Sequence, residues 1–179
     1  LHAIPLRPQV IDLQLLALVG FEDPPRAGAA PAIRACRQAG MRVGMITGDH
    51  PATARAIARE VGLGGEHVHE GPQLPADDGV LGALLDRDGV VVCHVTPEQK
   101  LRILTALQAR GHVVAMTGDG VNDAPALQQA DIGIAMGRSG TDVAREAADL
   151  VLLDDDFGTI VEAVRQGRAT FSNIRRFLT

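Results

Sequence analysis

Apolar runs of strand length alternate with stretches of helical period along the chain. The run Leu15 to Phe21 (LLALVGF) predicts a strand, and Pro24-Pro25 forbids its continuation. Residues 27–40 are alanine-rich, predict a helix and close on Gly40 as a C-terminal cap. Residues 41–46 (MRVGMI) read as a buried strand. The helix over 51–63 has Pro51 at its first position and Ala54, Ile57, Ala58 and Val61 at helical spacing. Residues 64–80 show no period and read as loop with one short strand. A short helix over 80–89 and a strand over 90–95 (VVVCHV) follow. Residues 97–111 form an amphipathic helix ended by Gly111. The same alternation predicts strands over 112–117, 132–136 and 150–153, helices over 123–130 and 140–148, and a long final helix over roughly 156–177.

Strands that alternate with helices, and that are continuously apolar, are buried on both faces. The predicted fold class is therefore α/β, a doubly wound and mostly parallel sheet.

Composition narrows this picture. The chain has 179 residues, enough for one domain with a sizeable core. Aromatics are only 2%, so Leu, Val, Ile and Ala must build that core. A net charge of −5 argues against nucleic acid or an anionic membrane surface as partner. Cys36 and Cys93 are too few for a disulfide framework and read as buried thiols of a reducing compartment. No run reaches the ~18 apolar residues of a membrane span, and no signal-peptide pattern is present. The first residue is Leu rather than Met, so the chain reads as part of something longer.

Ligands of open parallel sheets bind beyond the carboxyl ends of the strands, and four polar clusters stand there: EDPPR, TGDH, HVTPEQK and TGDGVND. Asp119 and Asp123, flanked by glycines and with no cation nearby in sequence, repel each other unless a cation sits between them. Two hard carboxylates suit Mg²⁺ shared with phosphate and water, and Asn122 adds an amide. The plainer reading is a helix cap and a solvated acid. Thr47, Gly48 and Asp49 precede a helix and form a ready anion site. Lys100 lies in the first turn of its helix, where a cation opposes the dipole, so it has another use. Together these residues read as a phosphoryl-transfer site with Mg²⁺. The six histidines have no metal-ligand spacing; His67 and His69 read as solvated, and His50 adjoins the TGD cluster.

These motifs resemble the P-type cation-transporting ATPases, whose phosphorylation domain is of the haloacid-dehalogenase-like kind. FEDPPR, MITGDH, VTPEQK, MTGDGVNDAPAL, ADIGIAMG and GTDVAREAADLVLLDDDF follow in the family's order, and the wording is closer to the calcium and sodium–potassium pumps than to the heavy-metal branch. The resemblance implies that Asp119 and Asp123 hold Mg²⁺, that Asn122 lines the site, that Thr47 and Gly48 hold the phosphoryl group and that Lys100 neutralises it. It implies that Asp23, Asp49 and His94 lie on the nucleotide side, with ATP as substrate. Residues 1–14 would lead in from a nucleotide-binding domain, and 15–179 would be part of the phosphorylation domain. The last helix would lead toward a transmembrane helix, making this the cytoplasmic domain of a membrane protein whose nucleotide-binding, actuator and membrane domains lie elsewhere.

Two departures stand out. The family's DKTGT motif, which carries the phosphorylated Asp, is absent from the sequence, and with it the central strand that bears it. Either the strands at 41–46 and 112–117 pair directly to close the gap, or the unpaired edges drive self-association. His94 also stands where the family commonly has an Arg that contacts nucleotide. Two other readings remain: a free-standing phosphatase of the same superfamily using Asp23, and a non-catalytic binding module.

Overall fold

The computed structural model describes residues 14–17, 19 and 24–178. Its strands are β1 (Met45–Ile46), β2 (Val68–Glu70), β3 (Val91–Cys93), β4 (Ala115–Gly118), β5 (Ile132–Met136) and β6 (Leu150–Leu152). Its helices are α1 (Ala29–Gln38), α2 (Pro51–Glu60), α3 (Asp78–Leu85), α4 (Pro97–Gln108), α5 (Ala124–Gln129), α6 (Asp142–Ala147) and α7 (Phe157–Leu178). The strands form two three-stranded sheets, ordered β1-β3-β2 and β4-β5-β6, and every pairing is parallel.

The fully buried β3 shows why its sequence is apolar at every position. Val91 and Cys93 pack with Ala54, Ala58 and Ile33 of α2 and α1. Val90 and Val92 pack with Leu81, Leu85, Ile103 and Ala106 of α3 and α4. Successive residues of a strand point to opposite faces, so a sheet with helices on both faces needs both sets apolar. In the second sheet Ala135 packs with Leu127 and Ala144 of α5 and α6. Ile134, Met136 and Leu152 pack with Phe157 and Ile160 of α7.

Local signals place the helix ends. Pro51 opens α2 and Pro97 opens α4, where a missing N–H costs nothing. Gly40 and Gly111, just beyond α1 and α4, adopt φ of 78° and 83°, which glycine tolerates best. The stretch 64–80 contains β2, then a 3₁₀ turn at Gly71–Gln73, and α3 starts at Asp78, capped by the Asp77 side chain.

Two expectations need correction. The run predicted as a strand over 15–21 forms none at residues 14–17 and 19, where Leu15, Leu16 and Val19 are exposed. No described strand pairs with it, and its other residues lie outside the described set. The second concerns one of the two outcomes expected at the gap: direct pairing does not occur, since β1 and β4 are not hydrogen-bonded to each other. Packing of α4 on α5 and of α1 on α7 spans the two sheets instead. β1 is shorter than the predicted 41–46, and β4 runs over 115–118 where 112–117 was predicted.

Candidate functional site

The carboxyl ends of β1 and β4 face one cleft of ≈ 320 Å³. Thr47 and Gly48 line it from the turn after β1, and Thr117, Gly118, Asp119 and Asp123 from β4 and the turn after it. Lys100 reaches it from α4, Arg26 from the segment before α1, and Ile46, Met116, Met136 and Phe157 form apolar walls.

Asp123 is the buried acid of the described residues. Its Oδ1 accepts from Lys100 Nζ at 2.6 Å, and its Oδ2 accepts from the Gly120 N–H at 3.1 Å. The cation that sequence spacing did not supply thus comes from another helix. Lys100 and Asp123 retain 14% and 11% side-chain exposure, so the pair is largely shielded from water. Gly118 is what lets Asp123 come so close, because a Cβ there would stand 2.5 Å from the Asp123 Cβ. Asp119 differs. It is exposed, and its carboxylate makes no hydrogen bond or ion pair among the described residues. Its carbonyl accepts from Thr141 N–H at 2.8 Å, which fixes the backbone.

The β1 side is a compact turn. Thr47 Oγ1 donates to Asp49 Oδ2 at 2.8 Å and accepts from the Asp49 N–H at 3.1 Å. A Cβ on Gly48 would meet nothing within 4 Å, and its φ is not left-handed. Packing within the described chain therefore gives no reason for a glycine here, whereas close approach of a ligand to the backbone would.

Of the residues read from sequence, the cleft gathers Thr47, Gly48, Lys100, Asp119 and Asp123. Asp49 and His94 stand beside it, joined by the His94 N–H donating to the Asp49 carbonyl at 3.2 Å. His94 has φ of 51°, and its ring meets His50 edge-on at 5.4 Å between centroids. Asn122 is exposed in the 3₁₀ turn Val121–Asp123 and does not line the cleft. Asp23 lies outside the described residues. Cys93 is buried and Cys36 half-buried, and burial pushes both thiols up, which makes neither a ready nucleophile.

Arg26 was missed, although it closes the EDPPR cluster. Its guanidinium donates to the Asp155 carbonyl at 3.0 Å and to Ser139 Oγ at 2.8 Å, and pairs with the Asp155 carboxylate at 3.3 Å. Asp155, with φ of 57°, also accepts the Arg138 and Ser139 N–H groups, each at 2.9 Å. The Arg138 N–H first, then the Ser139 groups and Arg26, hold its carboxyl well below the usual range. This clasp fixes the segment before α1 to the second half.

No group of three or more acidic, His or Cys side chains that could hold a metal occurs among the described residues. Mg²⁺ does not require one, since one or two carboxylates plus water and phosphate oxygens suffice. The unpaired Asp119, with Asp123 beside it, fits that donor set.

A haloacid dehalogenase-like hydrolase family matches residues 3–131, and a second family of the same description matches 99–164. A probable cation-transporting ATPase F of Mycobacterium tuberculosis is 56% identical over 173 residues, 93% of this chain and 19% of that protein. A cation-transporting ATPase of Synechocystis is 49% identical over 178 residues, 98% of this chain and 20% of that protein. A calcium-transporting ATPase of Bacillus subtilis is 49% identical over 169 residues, 93% and 19% respectively. The chain thus spans about a fifth of the length of these relatives. The crystal structure of a zinc-transporting PIB-type ATPase in the E2.Pi state superposes with a TM-score of 0.68 at 36% identity, over 87% of this chain and 21% of that one. No helix among the described residues is long and apolar enough to cross a membrane. The chain belongs to the haloacid dehalogenase-like hydrolases, and the relatives it matches are cation-transporting P-type ATPases.

Proposed function

We propose that this chain is the Mg²⁺- and phosphate-binding part of the phosphorylation domain of an ATP-driven cation pump. The observation that carries the reading is the cleft between two parallel sheets whose inner edges, β1 and β4, are both unpaired. A strand inserted there would bring its carboxyl end between Thr47 and Asp119. That strand would carry the Asp nucleophile, which is absent from this sequence.

In this reading the chain's own residues bind and orient the phosphoryl group. The Thr47 hydroxyl and the open Gly48 backbone would hold its oxygens, and Lys100 would neutralise their charge. Lys100 would lean from Asp123 toward the arriving anion. Asp119 and Asp123 would hold Mg²⁺, which when bound spreads the phosphoryl charge. Asn122 would approach only with a shift of its turn, while Asp49, His94 and Asp23 would face the nucleotide. A carboxylate oxygen of the outside Asp attacks the γ-phosphorus, forming one P–O bond as the bond to ADP breaks. Water later attacks the same phosphorus and releases inorganic phosphate and the free carboxylate. Residues 1–14 would lead from a nucleotide-binding domain, and α7 toward a transmembrane helix. The transported ion is outside this proposal, because its ligands would lie in the membrane.

A synthetic strand peptide carrying DKTGT, mixed with the chain, tests this. Beryllofluoride with Mg²⁺ should be trapped on the peptide's Asp, and Lys100→Ala or Asp119→Asn should abolish trapping. Strong Mg²⁺-dependent ATP turnover by the 179 residues alone, lost in Asp119→Asn, would overturn the proposal. So would trapping on Asp23.

A further inference from the structure

Lys100 is the only lysine in the sequence, and its position depends on how α4 begins. Thr96 caps the helix by accepting the Gln99 N–H at 3.3 Å, and Gln99 Oε1 accepts the Thr96 N–H at 3.0 Å. That reciprocal box uses only the oxygen of the amide, which a glutamate would also supply. The nitrogen has a separate use, donating to the Gly71 carbonyl at 2.8 Å.

Gly71 opens the 3₁₀ turn after β2 and is buried against the start of α4. A Cβ on it would stand 2.5 Å from Gln99 Oε1 and 2.5 Å from the His94 carbonyl. Its φ is not left-handed, so close approach rather than backbone freedom calls for glycine. The preceding Glu70 places Oε2 3.6 Å from His94 Nδ1. On its other side the same stretch is tied to the cleft: His94 N–H donates to the Asp49 carbonyl and Val95 N–H to the Thr47 carbonyl, both at 3.2 Å. His94 adopts φ of 51° in the middle of this clamp. A non-glycine residue keeps such a conformation only where its surroundings enforce it.

We propose that Gly71 and Gln99 are positioning residues that brace the β3–α4 turn from behind and so hold Lys100 at the phosphate cleft. They touch no ligand; they act through the turn on the one lysine. The inference rests on reading the cleft as a phosphate site.

The test is titration of the 179-residue chain with Mg²⁺ and pyrophosphate, alongside the single lysine resonance of chain labelled with ¹⁵N-lysine. Lys100→Ala should weaken binding by about tenfold or more, and Gly71→Ala and Gln99→Glu by about threefold to tenfold, since a small misplacement of a binding group is costly. Gln99→Glu keeps the cap but cannot donate to Gly71, while Gly71→Ala, remote from the lysine in sequence, should also shift the lysine resonance. Asp77→Ala removes the α3 cap, and should lower Tm while leaving affinity and resonance unchanged. Gln99→Glu and Gly71→Ala with unchanged affinity, and Gly71→Ala with an unchanged resonance, beside a Lys100→Ala that loses binding, would overturn the brace. A Lys100→Ala that binds as well as wild type would overturn the phosphate reading and the brace with it.

Discussion

The two sheets are built on the same plan and finished differently. In β1-β3-β2 the central strand is buried at all three positions, with α1 and α2 on one face and α3 and α4 on the other. In β4-β5-β6 only the central strand approaches that state. Alternate residues of β4 are exposed, and Leu150 and Val151 of β6 are 46% and 37% exposed. Yet residues 113–116, Val-Val-Ala-Met, are as apolar as 90–93. Apolar sequence with incomplete cover is what a strand looks like when the surface it suits is not packed against it. The difference therefore fits the proposal of a further strand beside β4, and it makes the second half the weaker one.

The largest expected effects probe that asymmetry. Leu81 is fully buried between α3 and α4, so Leu81→Ala should cost roughly 2–5 kcal/mol in urea unfolding. If the halves unfold together, one transition shifts; two transitions would show that they are separate units. Amide exchange should be slowest in β3 and faster in β4 and β6, and equal protection of β3 and β4 would contradict the comparison. Next comes the seam. Lys100→Met leaves the buried Asp123 without its cation and should cost about 1–3 kcal/mol. The double variant Lys100→Met, Asp123→Asn should recover part of that loss, whereas a purely additive loss would show that the two residues act independently.

Much of this was legible because period and punctuation agree. The helix starts at Pro51 and Pro97 and the stops at Gly40 and Gly111 are local signals, and the structure honours them. The alternation of strands and helices carried the fold class. Thr47, Gly48, Lys100, Asp119 and Asp123 could be read because each stands at a strand or helix end, where parallel sheets place their ligands. What stayed hidden depends on partners distant in sequence. The Lys100–Asp123 pair joins positions 23 residues apart, and the Arg26–Asp155 clasp spans 129. Strand ends were overestimated for a related reason: an apolar run records what a strand can bury, while its hydrogen-bonded length depends on neighbours. The brace at Gly71 left no trace in period or composition, because close approach is a three-dimensional property.

A smaller effect separates the halves by pH. Asp155 has a depressed folded value, so its contribution is complete above the unfolded carboxylate value of about 4. It is lost progressively as pH falls through the folded value. Asp155→Asn should thus be destabilised relative to wild type at neutral pH, with the difference shrinking below about pH 4. Loss of order should be seen first where Arg26 and the 138–139 turn meet. A pH-independent difference would assign the clasp's effect to packing instead of charge.

The smallest effect belongs to α7, which contributes Phe157 and Ile160 to the core near its start and leaves Phe171, Ile174, Phe177 and Leu178 exposed farther along. Between these regions Arg165 donates to both carboxylate oxygens of Glu162, drawing that acid down to about 2. The shift looks large, but both side chains are well exposed, at 70% and 48%, and solvent screens such pairs. Arg165→Gln should therefore leave the urea midpoint within error and reduce only the acid sensitivity of the local helix signal. A clear fall in the midpoint would mean that this stretch of α7 bears on the second sheet more heavily than its exposure implies. The two halves would then be more evenly matched than their strands suggest.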